Sequence, residues 1–148
     1  MTVACGRREG IKKGMPVVWA GHLIGRISEV GVFTSRVQLV TDKEFKIGVV
    51  VVPKYLGEGT QTRGQVGVLE GNASGGCIVK WLYGGTDIRK GWFVITKGDP
   101  FIPLPRGLIV GEVENTSYRS NVEISVTPII NFSNLEYVII LKPKDADS

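Results

Sequence analysis

Ile11-Lys12-Lys13-Gly14-Met15-Pro16-Val17-Val18 and Ile88-Arg89-Lys90-Gly91-Trp92-Phe93-Val94-Ile95 match in residue type at nearly every position. Two further blocks follow in the same order: Leu23-Ile24-Gly25-Arg26-Ile27 aligns with Ile109-Val110-Gly111-Glu112-Val113, and Ser35-Arg36-Val37-Gln38-Leu39 with Ser120-Asn121-Val122-Glu123-Ile124. Three ordered matches make an internal repeat, which fixes the reading of everything around it. In each copy a charged pair and a glycine, Gly14 or Gly91, precede an apolar run, the pattern of a turn that takes φ > 0 and feeds a strand. Gly25 and Gly111 fall inside the next strand, where a missing side chain marks a bulge or the tight bend of a small barrel. Two related β-barrels follow from this pattern.

Around the repeat, short apolar runs alternate with turn signals, and most show a period of two. Ten strands are expected, at 15–20, 23–30, 36–41, 46–52, 65–69, 77–83, 93–96, 108–114, 121–127 and 137–141. The run 47–52 is almost continuously aliphatic, which suits a strand covered on both faces or lying at a barrel seam. Twenty glycines and seven prolines in 148 residues argue against a helix bundle, since each weakens a helix by about 1 to 3 kcal/mol. The Pro-rich insertion 99–105 reads as an ordered, extended loop. Gly57, Gly59 and Gly64 interrupt the apolar pattern, so the division is placed there: a first barrel over 1–61, a second over 62–142 and a polar tail over 143–148. A return of the last strand to the first barrel remains open.

With 43% hydrophobic and 22% charged residues the chain can bury a real core, and no stretch approaches the roughly 20 apolar residues of a membrane helix. A net charge of +4 and a pI near 9.2 are compatible with an anionic partner. Arg7, Arg8, Lys12 and Lys13 are the candidate contact for an anionic polymer. The solvated-surface reading stands beside that one.

Chemistry-bearing constellations are sparse. His22 is the one histidine, it lies in a tight turn, and no GxSxG elbow accompanies any serine, so no catalytic residue is assigned. Cys5 and Cys77 read as free thiols, and without CxxC spacing no metal site is expected. The stretch 71–76 is glycine-rich but lacks the phosphate-loop pattern and reads as a hairpin turn. Asp42, Glu44, Asp87 and Asp99 sit in expected turns. Trp81 and Tyr83, on one strand face beside Lys80, admit nucleic-acid stacking, but packing in a core or interface is the stronger reading. Phe101 and Tyr118 join them as interface candidates, with the 103–108 loop alongside. A chymotrypsin-like hydrolase and a small-barrel nucleic-acid binder are the alternatives from other classes.

The blocks at 10–18, 23–27, 34–42, 63–67, 87–92 and 107–113 together resemble the β-domain of the rod shape-determining protein MreC, in order along residues 10 to 141. The resemblance implies two six-stranded β-barrel-like domains, one with chymotrypsin-like topology but without its catalytic residues. It implies a non-enzymatic scaffold of bacterial cell elongation on the periplasmic side of the inner membrane, needing no cofactor and no nucleic acid. The implied partners are the elongation-specific penicillin-binding transpeptidase, RodA, MreD, MreB and further copies of itself, as a dimer or filament. Family members also carry a cytoplasmic part, a membrane helix and a coiled coil, which this sequence lacks. The chain is therefore expected to be a truncated, soluble domain of a membrane-anchored protein.

Overall fold

The structure is a computed structural model, and it describes residues 1–53, 64–82, 88–99, 104–116 and 123–142. Among them are eleven strands: β1 (Thr2–Val3), β2 (Pro16–Trp19), β3 (His22–Val30), β4 (Ser35–Leu39), β5 (Lys46–Val52), β6 (Gln65–Gly71), β7 (Cys77–Lys80), β8 (Phe93–Thr96), β9 (Ile109–Thr116), β10 (Ile124–Thr127) and β11 (Ile139–Ile140). Two short 3-10 turns, Arg7–Glu9 and Phe132–Asn134, complete the described elements. The strands over 46–52 and 93–96 fall where the sequence places them.

Six strands close on themselves in the order β5, β6, β7, β10, β9, β8, each pair antiparallel. Inward-facing Val49, Val51, Leu69, Val79, Val94 and Val126 fill this barrel at 0 to 1% exposure, so the interior is packed rather than hollow. The other five form a smaller antiparallel sheet in the order β1, β4, β3, β2, β11. Its core is Ile11, Met15, Val17, Ile24, Ile27 and Val37. β3 serves both: Leu23 packs into the barrel core while Ile24 packs into the smaller one. At its start His22 pairs in parallel with Ile109, and the Ile109 N–H donates to the Gly21 carbonyl at 3.0 Å.

The repeat is realised as two equivalent hairpins. The Gly14 N–H donates to the Ile27 carbonyl (2.8 Å) and the Ile27 N–H to the Met15 carbonyl (2.9 Å); Gly91 to Val113 (2.9 Å) and Val113 to Trp92 (2.8 Å) repeat the arrangement. Both turn glycines are left-handed, at φ +93° for Gly14 and +91° for Gly91. Register shifts fall between Val17 and Val18 in one copy and between Val94 and Ile95 in the other. These leave Ile24 and Val110 as the extra, bulged residues, each directly before Gly25 or Gly111. A Cβ at Gly25 would overlap the carbonyl oxygen of Gln38, and one at Gly111 that of Thr127. The third aligned block is displaced: Val37 pairs with Ile27, whereas the residue pairing with Val113 is Val126, four positions beyond the aligned Val122.

Strand pairing also differs from the expected division at residue 61. β5 and β6 are neighbours in the closed ring, paired from Lys46–Glu70 to Val51–Gln65, so both strands belong to one barrel. The chain instead passes between the two sheets at 40–45, and again when it returns to pair β11 with β2. The first passage is a side-chain-capped turn, with Asp42 Oδ1 accepting from the Glu44 N–H (2.8 Å). The strand expected over 77–83 stops at Lys80, because Trp81 takes φ +62° and leaves the ladder. The 71–76 stretch is a hairpin turn, in which Asn72 Oδ1 accepts from the N–H groups of Ser74 (2.7 Å) and Gly76 (3.1 Å). At the end of β8, Thr96 is fully buried; its hydroxyl donates to the Pro105 carbonyl (2.6 Å) and accepts from the Leu108 N–H (3.0 Å).

Cys77 is buried in the barrel core, its Sγ donating to the Val40 carbonyl at 3.3 Å, and burial pushes the thiol up to about 12. Its folded-state value lies above its unfolded value, so the stabilisation is complete below about 9 and is lost as pH rises toward 12. Denaturant titrations at stepped pH should therefore show the parent losing stability relative to Cys77→Val across that window, by up to about 1.4 kcal/mol per pH unit. Parallel curves would contradict the buried neutral thiol. The glycines separate into two kinds by the same assay. Gly25→Ala should cost about 3 kcal/mol through backbone overlap, while Gly14→Ala, with open space around it, should cost only about 1 kcal/mol for its φ.

Candidate functional site

The described part of the interface expected from sequence is Trp81. Tyr83, Phe101 and Tyr118 lie outside the described residues, as does Pro103 of the adjoining loop. Trp81 is 63% exposed at the end of β7, and its left-handed backbone is a conformation bulky residues rarely adopt. Backbone strain of this kind clusters at functional sites. Beside it, Val68 pairs with Lys80, and Val66 two residues along β6 is 40% exposed. Lys80 bridges to Glu70 (3.3 Å), which also pairs with Lys46 (3.7 Å), giving the patch a charged border.

The basic residues divide into two groups. Arg7 and Arg8 lie on the first 3-10 turn, whose end is tied down by the Lys142 ammonium donating to the Glu9 carbonyl. Lys12 and Lys13 are exposed in the turn that ends at Gly14. Arg8 stands over the ring of Phe33, 5.5 Å from its centroid. Arg26, by contrast, is taken up by structure: it lies over Phe45 at 4.8 Å and donates to the Lys46 carbonyl (3.2 Å), and burial lowers its pKa.

Several exposed apolar residues were not singled out from sequence. Phe33 is 63% exposed, Tyr137 72% and Ile139 52%. Tyr137 borders a groove of about 460 Å³ between β1 and residues 135–140, lined also by Val3, Cys5, Leu135, Val138 and Ile140. Among the described residues β1 and β11 each pair on one side only, so this groove separates the two edges of the smaller sheet. Burial and Glu9 raise the Cys5 thiol, with Lys142 opposing them. Alternation gave no hint of the exposure of Ile139, because an edge strand carries the same apolar pattern as a central one.

His22 makes a local contact, its Nδ1 lying 3.0 Å from the Ala20 carbonyl across a two-residue hairpin turn. Ala20 (φ +50°) and Gly21 (φ +79°) form that turn, which matches the twist of the strands it joins. Cys5 and Cys77 are both free. Among the described residues no group of three or more His, Cys, Asp or Glu could hold a metal ion, and no helix is long and apolar enough to cross a membrane. What the geometry offers is surface: a closed barrel with a projecting tryptophan, and a smaller sheet with a basic, aromatic end.

Comparison with known proteins agrees with this picture. The family model described as "Rod shape-determining protein MreC, barrel core" matches residues 1–142. The cell shape-determining protein MreC of Cereibacter sphaeroides is 32% identical over 142 residues, covering 96% of this chain and 43% of that protein. With its counterpart in Haemophilus influenzae, of which 39% is covered, this means the chain spans about two fifths of the curated relatives it matches. The monoclinic crystal form of the major periplasmic domain from the cell shape-determining filament MreC superposes with a TM-score of 0.73 at 25% identity, covering 93% of this chain and 83% of that one. A complex between the penicillin-binding protein PBP2 and MreC from Helicobacter pylori contains a chain with the same fold, at a TM-score of 0.63 and 17% identity over 88% of this chain and 79% of that one. On its closed six-stranded barrel and a family match over nearly its whole length, this chain belongs to the MreC family of rod shape-determining proteins.

Proposed function

We propose that the chain is a non-catalytic periplasmic scaffold of the cell-elongation machinery, binding the elongation-specific penicillin-binding transpeptidase and regulating peptidoglycan synthesis. The observation that carries the reading is Trp81, which projects from a strained position at the rim of a rigid closed barrel. Tryptophan supplies large contact area at small entropic cost, and such residues dominate binding energy at interfaces. Support comes from the Helicobacter pylori MreC, which is described in complex with PBP2. RodA, MreD and MreB enter as members of the same assembly. Self-association would use the edges β1 and β11, each of which presents one unpaired side among the described residues.

Calorimetric titration with the periplasmic part of the elongation-specific penicillin-binding protein tests this reading. The parent chain should bind saturably. Trp81→Gly should weaken binding by about 2 kcal/mol, roughly thirtyfold in Kd. Because glycine tolerates the left-handed backbone, the same substitution should leave stability unchanged or raise it by about 1 kcal/mol. No saturable binding by the parent would overturn the scaffold reading, and equal binding by the variant would remove Trp81 from the interface.

A further inference from the structure

The tip of the β3–β4 hairpin and the first 3-10 turn form one patch that the scaffold reading does not use. Val32 and Phe33 stand at the tip, 43% and 63% exposed. The tip is closed by the Gly31 N–H donating to the Thr34 carbonyl (2.8 Å) and joined to the turn by the Arg7 N–H donating to the Gly31 carbonyl (2.9 Å). Gly6 is buried at that junction, where a Cβ would overlap the carbonyl oxygens of Gly31 and Val32. With Arg8 over the Phe33 ring, apolar tip and basic turn are held as a unit.

The patch carries an excess of positive charge among the described residues. Arg7 and Arg8 are exposed, and neither enters a salt bridge among the described residues. Glu9 of the same turn accepts from the Gly6 N–H (2.7 Å), and Glu29 of β3 pairs with Arg36 (3.7 Å). Lys12 and Lys13 extend the positive surface along the following turn.

We propose that this patch seats the protein on an anionic lipid bilayer, with Val32 and Phe33 entering the boundary between headgroups and acyl chains while Arg7 and Arg8 meet lipid phosphates. Apolar side chains that insert and cations that stay at headgroup level are the two components of interfacial binding. A guanidinium stacked on the ring that inserts keeps its charge beside the phosphates as the ring leaves water. An anionic polymer would engage the cations but give exposed Val32 and Phe33 no role, so the apolar tip favours lipid.

Co-sedimentation of the chain with vesicles decides this without any protein partner, so its outcome is independent of the transpeptidase titration. The chain should pellet with vesicles of phosphatidylglycerol and phosphatidylcholine and far less with phosphatidylcholine alone, and added salt should weaken the binding. Phe33→Ser should reduce partitioning roughly tenfold, and the double variant Arg7→Glu with Arg8→Glu should abolish it. These side chains are exposed, so unchanged Tm values should confirm that the variants remain folded. Absence of pelleting with anionic vesicles would overturn the proposal. Pelleting unaffected by Phe33→Ser would also overturn it, because binding would then rest on charge alone without insertion of the tip.

Discussion

Two backbone carbonyls occupy the places where two side chains would be. The oxygen of Gln38 fills the Cβ position of residue 25, and that of Thr127 fills the Cβ position of residue 111. Each contact follows a bulge, at Ile24 or Val110, that adds one residue to the strand and increases its twist. The twist lets β9 curve to close the ring with β8 and β10, and lets β3 divide its side chains between two cores. Glycine at 25 and 111 is thus a condition of close strand approach rather than a relic of composition. The equal hydrogen bonding at Gly14 and Gly91 shows the same device built twice.

Much of this was legible in the residues. The paired glycines, the basic turn before each and the period-two strands already implied bulged hairpins and small barrels. What failed was what period two cannot encode. A slip of four residues leaves every side chain on its original face, so Val122 and Val126 are equivalent to the pattern and only the observed pairing selects Val126. The grouping of β5 with later strands was equally invisible, since the glycine-rich join at 54–64 resembles a linker whether it connects two barrels or two strands of one. Trp81 ended its strand through a backbone angle that a tryptophan gives no reason to expect. Phe33 drew no reading from the sequence, and it stands exposed at the β3–β4 tip.

The two parts of the molecule carry different surface chemistry. The barrel has a closed hydrogen-bond ring and a packed interior, and it offers Trp81 and Val66 on its exterior with a border of paired charges. Among the described residues the smaller sheet has two open edges and a basic, aromatic end. A rigid barrel spends little conformational entropy in presenting an anchor residue, which suits recognition without a chemical step. Cys77 and Thr96, the polar groups drawn deepest into the barrel, find backbone partners, so they consolidate the scaffold instead of reaching a surface.

Native-state amide hydrogen exchange at Ile27 and Val113 tests the central claim, that the two hairpins are locked alike and together define the scaffold. Each amide is buried and donates across its bulged hairpin, to Met15 and to Trp92 respectively. Both should exchange only through global unfolding, with a common free energy equal to that from denaturant titration. Exchange of either amide through a local opening, well below that free energy, would contradict the account.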